Sequence, residues 1–362
     1  MDYFKRAFSL ARQALGDVSP NPAVGAVLVR DDEIVGEGFT QPPGSDHAEI
    51  VALKQAGAKA RGAILYVTLE PCCHFGRTPP CSRALIAAGI VEARIAMLDP
   101  NKLVSGKGRH ELEQAGIRTI TGEREAEAKE LYEAYIKHIT TGLPFVTAKF
   151  AMSLDGKIAT ASGDSQWISG KVARNHVQEM RKNVDAIMVG VNTVLADDPQ
   201  LTARYENGEL RRRQPLRVIT DAQARTPASA QVFKVPGRTV LAVDENVDKK
   251  KAIILEQAGA ELIRLPSRDG LVDLRTLFEI LGQRQVTSVM AEGGGQLLGN
   301  LFDQDLVDKV VAFVSPMIIG GADSKVAVAG HGVDKISQAL RLKRVSSKML
   351  DQDVMITGYT GA

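Results

Sequence analysis

Pro71-Cys72-Cys73-His74-Phe75-Gly76-Arg77-Thr78-Pro79-Pro80-Cys81 holds every cysteine of a 362-residue chain. A disulfide framework would spread an even number of cysteines along the sequence. Three within ten residues favour metal binding or catalysis. At the start of the helical pattern that precedes the strand before it stands His47-Ala48-Glu49. A borderline-soft ion such as zinc suits one imidazole and two thiolates, with a fourth position left for a water that then loses its proton near neutral pH. His47 and Cys81 each open a helical pattern, and the positive end of a helix favours a thiolate. Glu49 lies two residues past His47, close enough to exchange protons with that water without ligating the ion.

The layout H-x-E followed by P-C-x-x-C marks zinc nucleobase deaminases. Here eight residues, not two, separate Cys72 from Cys81. Cys73 competes with Cys72 for the ion, and the place directly after Pro71 favours Cys72. A structural zinc site would want four protein ligands, and His74 is the candidate fourth.

Outward from this stretch, strands and helices alternate. Phe4, Ala7, Phe8, Ala11, Ala14 and Leu15 recur at helical spacing up to Gly16. Residues 24–29 and 34–39 read as strands joined through Asp31-Asp32, 47–56 as a helix ending at Gly57, and 63–69 as a buried strand. Residues 81–88 form a helix closed by Gly89, followed by a strand at 90–97, a helix at 109–115, a short strand at 117–120 and one long helix at 123–139. This pattern predicts an α/β layer with a largely parallel sheet. The connector Thr140-Thr141-Gly142-Leu143-Pro144 marks a boundary and divides the chain into domains 1–143 and 144–362, as its length also suggests. Beyond it, strands are expected at 145–151, 186–191, 216–221, 239–243, 261–265, 286–291 and 310–314. Helices fall at 170–181, 249–258 and 273–281, and 343–350 with 354–359 fits an antiparallel hairpin.

Gly293-Gly294-Gly295-Gln296-Leu297-Leu298-Gly299 follows the strand at 286–291 and precedes a short apolar helix. Glycines permit close approach of backbone, and a helix start offers N–H groups to phosphate. The spacing is not G-x-G-x-x-G, so no Rossmann fingerprint is present, and a tight turn is an equal reading.

The 71–81 stretch, Asn21-Pro22-Ala23-Val24-Gly25 and His47-Ala48-Glu49 resemble the pyrimidine deaminases of riboflavin biosynthesis. Phe150-Ala151-Met152-Ser153-Leu154-Asp155-Gly156-Lys157, Ser165-Gln166-Trp167-Ile168 and Thr193-Val194-Leu195-Ala196-Asp197-Asp198-Pro199 resemble the reductase partner of the same bifunctional family. The resemblance implies a cytidine-deaminase-like α/β/α layer followed by a dihydrofolate-reductase-like α/β domain. It implies a zinc ion on His47, Cys72 and Cys81, one per chain, with Glu49 as proton shuttle and Asn21, His74 and Arg77 toward substrate. In the second half it implies NADPH contacts at Ala151, Trp167, Thr193, Asp197 and Gly294-Gly295-Gln296-Leu297-Leu298-Gly299-Asn300. Substrate contacts follow at Ser165, Arg181, Leu201, Arg204 and Glu292. The reaction implied is hydrolytic deamination of a diamino-ribosylamino-pyrimidinone 5′-phosphate, then reduction of its ribosyl group to ribityl.

Physical chemistry bears on several of these. Arg181 and Arg204 suit a 5′-phosphate. Trp167, the single tryptophan, covers an aromatic ring or fills a core gap. Asp197 is the expected proton donor to nitrogen or ribose oxygen during hydride transfer, and Asp155, beside a glycine, is a turn residue.

A net charge of +2 gives little long-range attraction to nucleic acid or anionic membrane. The run Arg211-Arg212-Arg213 reads as a solvated loop. No signal-peptide pattern opens the chain, and no run approaches the roughly 20 apolar residues of a membrane span. A cytoplasmic homo-oligomer, dimer or tetramer, acting on a small molecule is expected. Two other readings are a nucleic-acid base deaminase, which calls for a basic groove with stacking aromatics, and a deaminase whose second half only binds or dimerises.

Overall fold

Alternation of side chains along one strand sets the layers of the first half. The computed structural model describes residues 2–76 and 78–361, in two compact units, Met1–Leu143 and Pro144–Ala362. In chain order the first unit holds α1 (Tyr3–Ala14), β1 (Gly25–Arg30), β2 (Glu33–Phe39), α2 (Ala48–Ala56), β3 (Ile64–Val67) and α3 (Cys81–Ala88), then β4 (Glu92–Ile95), α4 (Lys107–Gln114), β5 (Arg118–Thr121), α5 (Glu125–Leu131) and α6 (Glu133–Thr141). Ala26 and Leu28 of β1 share a core with Ala48 and Ala52 of α2, Leu65 and Val67 of β3 and Leu85 of α3. Val27 and Val29 turn the other way, onto Ala7 and Leu10 of α1. Period-two burial on both faces makes a sheet covered on each side.

The sheet runs β2-β1-β3-β4-β5. It is mixed rather than largely parallel: β1 pairs antiparallel with both β2 and β3, and only β3–β4 and β4–β5 are parallel. The tight Asp31-Asp32 turn forces the first reversal, because parallel neighbours need a long crossover. The long helix expected at 123–139 is broken. Tyr132 sits between α5 and α6 with φ −101° and ψ 12°, almost fully buried. Its hydroxyl lies 2.6 Å from Thr68 Oγ1 and donates to Ala23 O at 3.3 Å. Those tertiary bonds fix the ring and override local helical preference.

The second unit holds β6 (Phe145–Ser153), β7 (Lys157–Ala159), α7 (Lys171–Asn183), β8 (Ala186–Gly190), α8 (Val191–Asp197), β9 (Leu216–Thr220), β10 (Thr239–Asp244), α9 (Lys249–Gln257) and β11 (Ala260–Leu265). There follow β12 (Ser267–Arg268), β13 (Leu271–Val272), α10 (Leu274–Gln283), β14 (Ser288–Glu292), α11 (Gly295–Asp303), β15 (Lys309–Ser315), β16 (Lys325–Val326), β17 (Lys343–Leu350) and β18 (Asp353–Tyr359). Nine strands form one sheet, β11-β10-β9-β8-β14-β6-β15-β18-β17. It is parallel from β11 to β15 and closes with antiparallel β18 and β17. The central strands β8 and β14 read as nearly unbroken apolar runs, as strands covered on both faces must. Ile187, Ile219, Leu241 and Met290 pack with Val194 of α8 and Ala252 and Leu255 of α9. Val311 and Phe313 of β15 pack with Ala173 and Val177 of α7.

In the arginine run Arg212 is exposed, as a solvated loop would have it, but its two neighbours are not. The Arg211 guanidinium pairs with Glu179 and stacks on Tyr205, 4.5 Å from the ring centre. Arg213 donates to Asp185 at 2.7 Å and to the Val184 carbonyl at 2.9 Å. No helix among the described residues is long and apolar enough to cross a membrane.

Candidate active sites

Three donor atoms meet where two helices of the first unit begin. His47 is the N-cap of α2, and Cys81 is the first residue of α3. Cys72 is brought beside Cys81 by the extended segment after β3, where Ser82 N donates to Cys72 O and Cys81 N donates to Cys72 Sγ at 3.3 Å. His47 Nδ1 lies 3.5 Å from Cys72 Sγ and 3.3 Å from Cys81 Sγ. Zinc bonds of about 2.0–2.1 Å to nitrogen and 2.3 Å to sulfur, at tetrahedral angles, require such edges to be roughly 3.5 Å. The donor set therefore fits a zinc ion. Among the described residues no fourth His, Cys, Asp or Glu joins the cluster. Cys73 turns elsewhere, with its Sγ 4.0 Å from Leu103 O.

The electrostatics match the geometry. Contact with the Cys81 thiol, and with His47, pulls the Cys72 thiol well below its ordinary value. The same contact, with burial, pushes Cys81 up, so a bound cation is what would take both protons off. His47 is raised by its bond to Cys72, and its Nε2 sits 3.2 Å from Thr78 Oγ1, which orients the ring. Glu49 is only 3 % exposed. Burial, then the neighbouring Cys72 charge, pushes its carboxyl up to about 7, where it both takes and gives protons at neutral pH. His74 is half-buried, and its Nδ1 is sealed from solvent without a protein partner. Asn21 is half-buried, in a turn closed by its own N–H to Val18 O. Arg77 lies outside the described residues.

In the second unit two cavities open at the C-terminal ends of the parallel strands, where ligands of open α/β sheets bind. The larger, about 770 Å³, is lined by Gly190, Asn192, Thr193, Thr220, Arg225 and the start of α11, among others. The smaller, about 660 Å³, takes in Lys149, Ala151, Trp167, Arg181, Arg204 and Glu292. Ile158, Ser165, Thr193, Asp197 and Gly294 belong to both walls.

Of the sequence-expected cofactor residues, Gly294, Gly295, Gln296, Leu297 and Asn300 line the larger cavity together with Thr193 and Asp197. Gly294 has φ +74°, a conformation that favours glycine. Leu298 and Gly299 do not line it. Leu298 is fully buried, and a Cβ on Gly299 would come within 2.2 Å of Ala329 O. They face the packed side of α11, which one helical turn cannot also turn toward the cavity. Ala151 and Trp167 line the smaller cavity instead. Trp167 fills no core gap: it is 66 % exposed, with the Arg174 guanidinium 4.6 Å from its ring centre.

Ser165, Leu201, Arg181, Arg204 and Glu292 line the smaller cavity. Arg181 is not an open phosphate fork. It donates to Glu292 from Nε at 2.7 Å and from a terminal nitrogen at 2.8 Å, and to Thr202 O at 3.1 Å. Burial works against both charges, yet their pairing outweighs it, so Glu292 falls below and Arg181 rises above the usual range. Arg204 donates to Thr202 Oγ1, Gly208 O and Gln200 Oε1. Asp197 accepts from Ser165 Oγ at 3.4 Å, and burial raises its carboxyl despite that donor. Asp155 is a turn residue, accepting from Ile319 N and Gly320 N.

Two residues were not singled out in the sequence. Lys149 lies 3.9 Å from Glu292, 15 % exposed, and burial lowers its pKa. Its signal was legible, as the one charge in the apolar run Phe145-Val146-Thr147-Ala148-Lys149-Phe150-Ala151. Thr78 carried no such signal.

Residues 1–97 match the cytidine and deoxycytidylate deaminase zinc-binding region, and residues 144–356 match the RibD C-terminal domain. Fold and site thus define a zinc-binding deaminase joined to a reductase. The chain is 41 % identical over 358 residues to riboflavin biosynthesis protein RibD of Actinobacillus pleuropneumoniae, covering 98 % of this chain and 94 % of that one. Acinetobacter baumannii RibD superposes with a TM-score of 0.86 at 36 % identity, over 99 % of this chain and 98 % of that one. The diaminohydroxyphosphoribosylaminopyrimidine deaminase/5-amino-6-(5-phosphoribosylamino)uracil reductase of Thermotoga maritima gives the same TM-score, identity and coverage. The chain belongs to the RibD family, the bifunctional deaminase–reductases of riboflavin biosynthesis.

Proposed function

We propose that the first unit deaminates 2,5-diamino-6-ribosylamino-4(3H)-pyrimidinone 5′-phosphate, and that the second reduces the ribosyl group of the product to ribityl with NADPH. The observation that carries the first step is the approach of His47 Nδ1 to both sulfurs, 3.3 and 3.5 Å, beside the buried Glu49. His47, Cys72 and Cys81 hold one zinc ion per chain, which supplies the Lewis acidity that makes water nucleophilic at neutral pH. The Glu49 carboxylate takes a proton from the attacking water and passes it to a ring nitrogen, then takes the proton of the added hydroxyl and delivers it to the departing amino group. Water enters, a carbonyl replaces the amine, and ammonia leaves. His74 and the turn at Asn21 orient the pyrimidine.

In the second unit the larger cavity has a size suited to a dinucleotide, and the N–H groups at the start of α11 suit its pyrophosphate. When bound there, NADPH would supply the hydride for reduction of the ribosyl C1. Asp197, raised by burial and shared by both cavity walls, supplies the proton to nitrogen or ribose oxygen. Trp167, Ser165, Leu201 and Arg204 position the substrate, with Arg204 toward its phosphate. The same reading makes the enzyme a cytoplasmic homo-oligomer, dimer or tetramer, with no nucleic-acid or membrane partner.

Metal analysis with ammonia release tests the first step. Cys72→Ser is expected to lose zinc and activity, and Cys73→Ser to keep both. Zinc and activity surviving in Cys72→Ser would move the ligand to Cys73. For the second step, NADPH fluorescence is titrated into Glu49→Ala protein, where reduction of the deaminated substrate should persist. No binding and no oxidation would falsify the reductase assignment.

A further inference from the structure

The larger cavity of the second unit presents four charged side chains, Asp197, Arg225, Asp269 and Lys325. Where a dinucleotide lies across strand ends, a carboxylate just past a strand commonly accepts from the ribose 2′-hydroxyl. An arginine nearby suits a 2′-phosphate instead. Asp221 directly follows β9, whose last residue, Thr220, lines the cavity. This carboxylate is not offered to a ligand. Asp221 is 1 % exposed, with Oδ1 accepting from Arg225 N at 2.9 Å and Oδ2 from Thr226 N and Oγ1, each at 2.7 Å. Both oxygens are spent on the turn that follows the strand.

What that turn presents to the cavity is Arg225, an exposed residue on its wall. A terminal nitrogen of its guanidinium donates to Asn192 Oδ1 at 2.9 Å, and Asn192 Nδ2 in turn donates to Gln296 Oε1 at 2.7 Å. Asn192 is the second residue of α8 and Gln296 the second of α11, so the first turns of two helices steady one cation. Among the described residues, Asn192 is the only side-chain hydrogen-bond partner of that guanidinium. Its remaining donors keep the planar fork that grips phosphate in bidentate fashion, and restraining the side chain beforehand lowers the cost of binding.

We propose that Arg225, aimed by Asn192, sets the preference of the reductase for NADPH over NADH by pairing with the 2′-phosphate. This rests on the reading that a nicotinamide dinucleotide occupies the larger cavity. Lys325 is the rival cation, on the exposed two-residue strand β16.

The test combines two readouts on the full-length zinc-loaded protein. Calorimetry compares adenosine 2′,5′-bisphosphate with adenosine 5′-monophosphate, and steady-state kinetics compares NADPH with NADH on the deaminated substrate. Loss of a charge-assisted phosphate contact corresponds to roughly 10–100-fold. Arg225→Ala should lose that much affinity for the bisphosphate and that much kcat/KM for NADPH, with AMP and NADH held within about twofold. Arg225→Lys should recover part of the loss, and Asn192→Ala should lose a smaller share. Lys325→Ala should shift both dinucleotides alike and leave their ratio unchanged. A ratio untouched in Arg225→Ala, or one that collapses in Lys325→Ala, overturns the assignment while leaving the reductase reading intact. Wild-type protein that binds neither dinucleotide removes both.

Discussion

The two sites of this chain are built on opposite plans. In the first unit the chemistry is concentrated in the stretch from His47 to Cys81, where two helix starts and one extended segment bring three donors within 4.8 Å. In the second it is dispersed over strand ends and helix starts from Lys149 to Ala329, around two cavities of several hundred Å³. A concentrated site has few atoms, and each is indispensable. A dispersed site spreads binding over many contacts, so one substitution tunes it more often than it abolishes it.

The sharpest way to break that contrast is Glu49→Gln, which keeps the shape and removes the carboxylate proposed to shuttle protons. Ammonia release should fall by about 10²–10⁴-fold, with zinc content and NADPH-dependent reduction retained. A loss of only a few-fold would mean that the buried carboxyl is not indispensable and the contrast is false.

Next in size is Arg181→Ala, which leaves the buried Glu292 charge without its bidentate partner. Breaking such a pair costs about 3–5 kcal/mol. The expected result is a lowered denaturant midpoint for the second unit, with deaminase activity unchanged at low denaturant. Equal stability in variant and wild type would show that Glu292 takes up a proton or a new partner at little cost.

Asp99, which is not one of the three donors, gives a pH handle on the first unit. Burial is the main cause that raises its carboxyl from 3.8 to about 6, even though it accepts from Asn101 N and the Tyr135 hydroxyl. The folded state therefore holds the proton more tightly than the unfolded chain. Stability from this group is full below its ordinary pKa and is lost as pH rises through about 6, an amount of about 3 kcal/mol. Asp99→Asn should flatten that slope in denaturant titrations run between pH 4 and 7, roughly the window of the shift. An unaltered slope would place the titration elsewhere.

The smallest effect belongs to Thr78→Val, which takes the partner from His47 Nε2. Contacts of this kind are worth about 10–100-fold in metal affinity, measurable by chelator competition. An effect as large as that of Cys72→Ser would extend the indispensable set beyond the ligands.

The same contrast explains what the sequence disclosed. His47, Cys72 and Cys81 were legible because helix starts and a strand end fix them locally, and their side-chain chemistry is distinctive. Most strands of both units were legible from periodicity. The break at Tyr132 was not, because its cause is a hydroxyl reaching Thr68 and Ala23, far away in the chain. The mixed first sheet was half visible, since the Asp31-Asp32 turn implies one antiparallel pair while the β1–β3 pairing has no local mark. In the second unit Arg181 and Glu292 looked like independent contacts, and only the fold shows that they are spent on each other. Leu298 and Gly299 fell inside a glycine-rich motif, but helical geometry turns them inward.

The partition between the two chambers of the second unit has a pharmacological consequence. Because Ser165, Thr193 and Asp197 face both sides, whatever fills one chamber shapes the wall that its neighbour meets. On the proposed assignment of the two chambers, a compound long enough to straddle that partition would shut out sugar and nucleotide together. In kinetic plots it would behave as a rival of each, a signature no occupant of a single chamber produces.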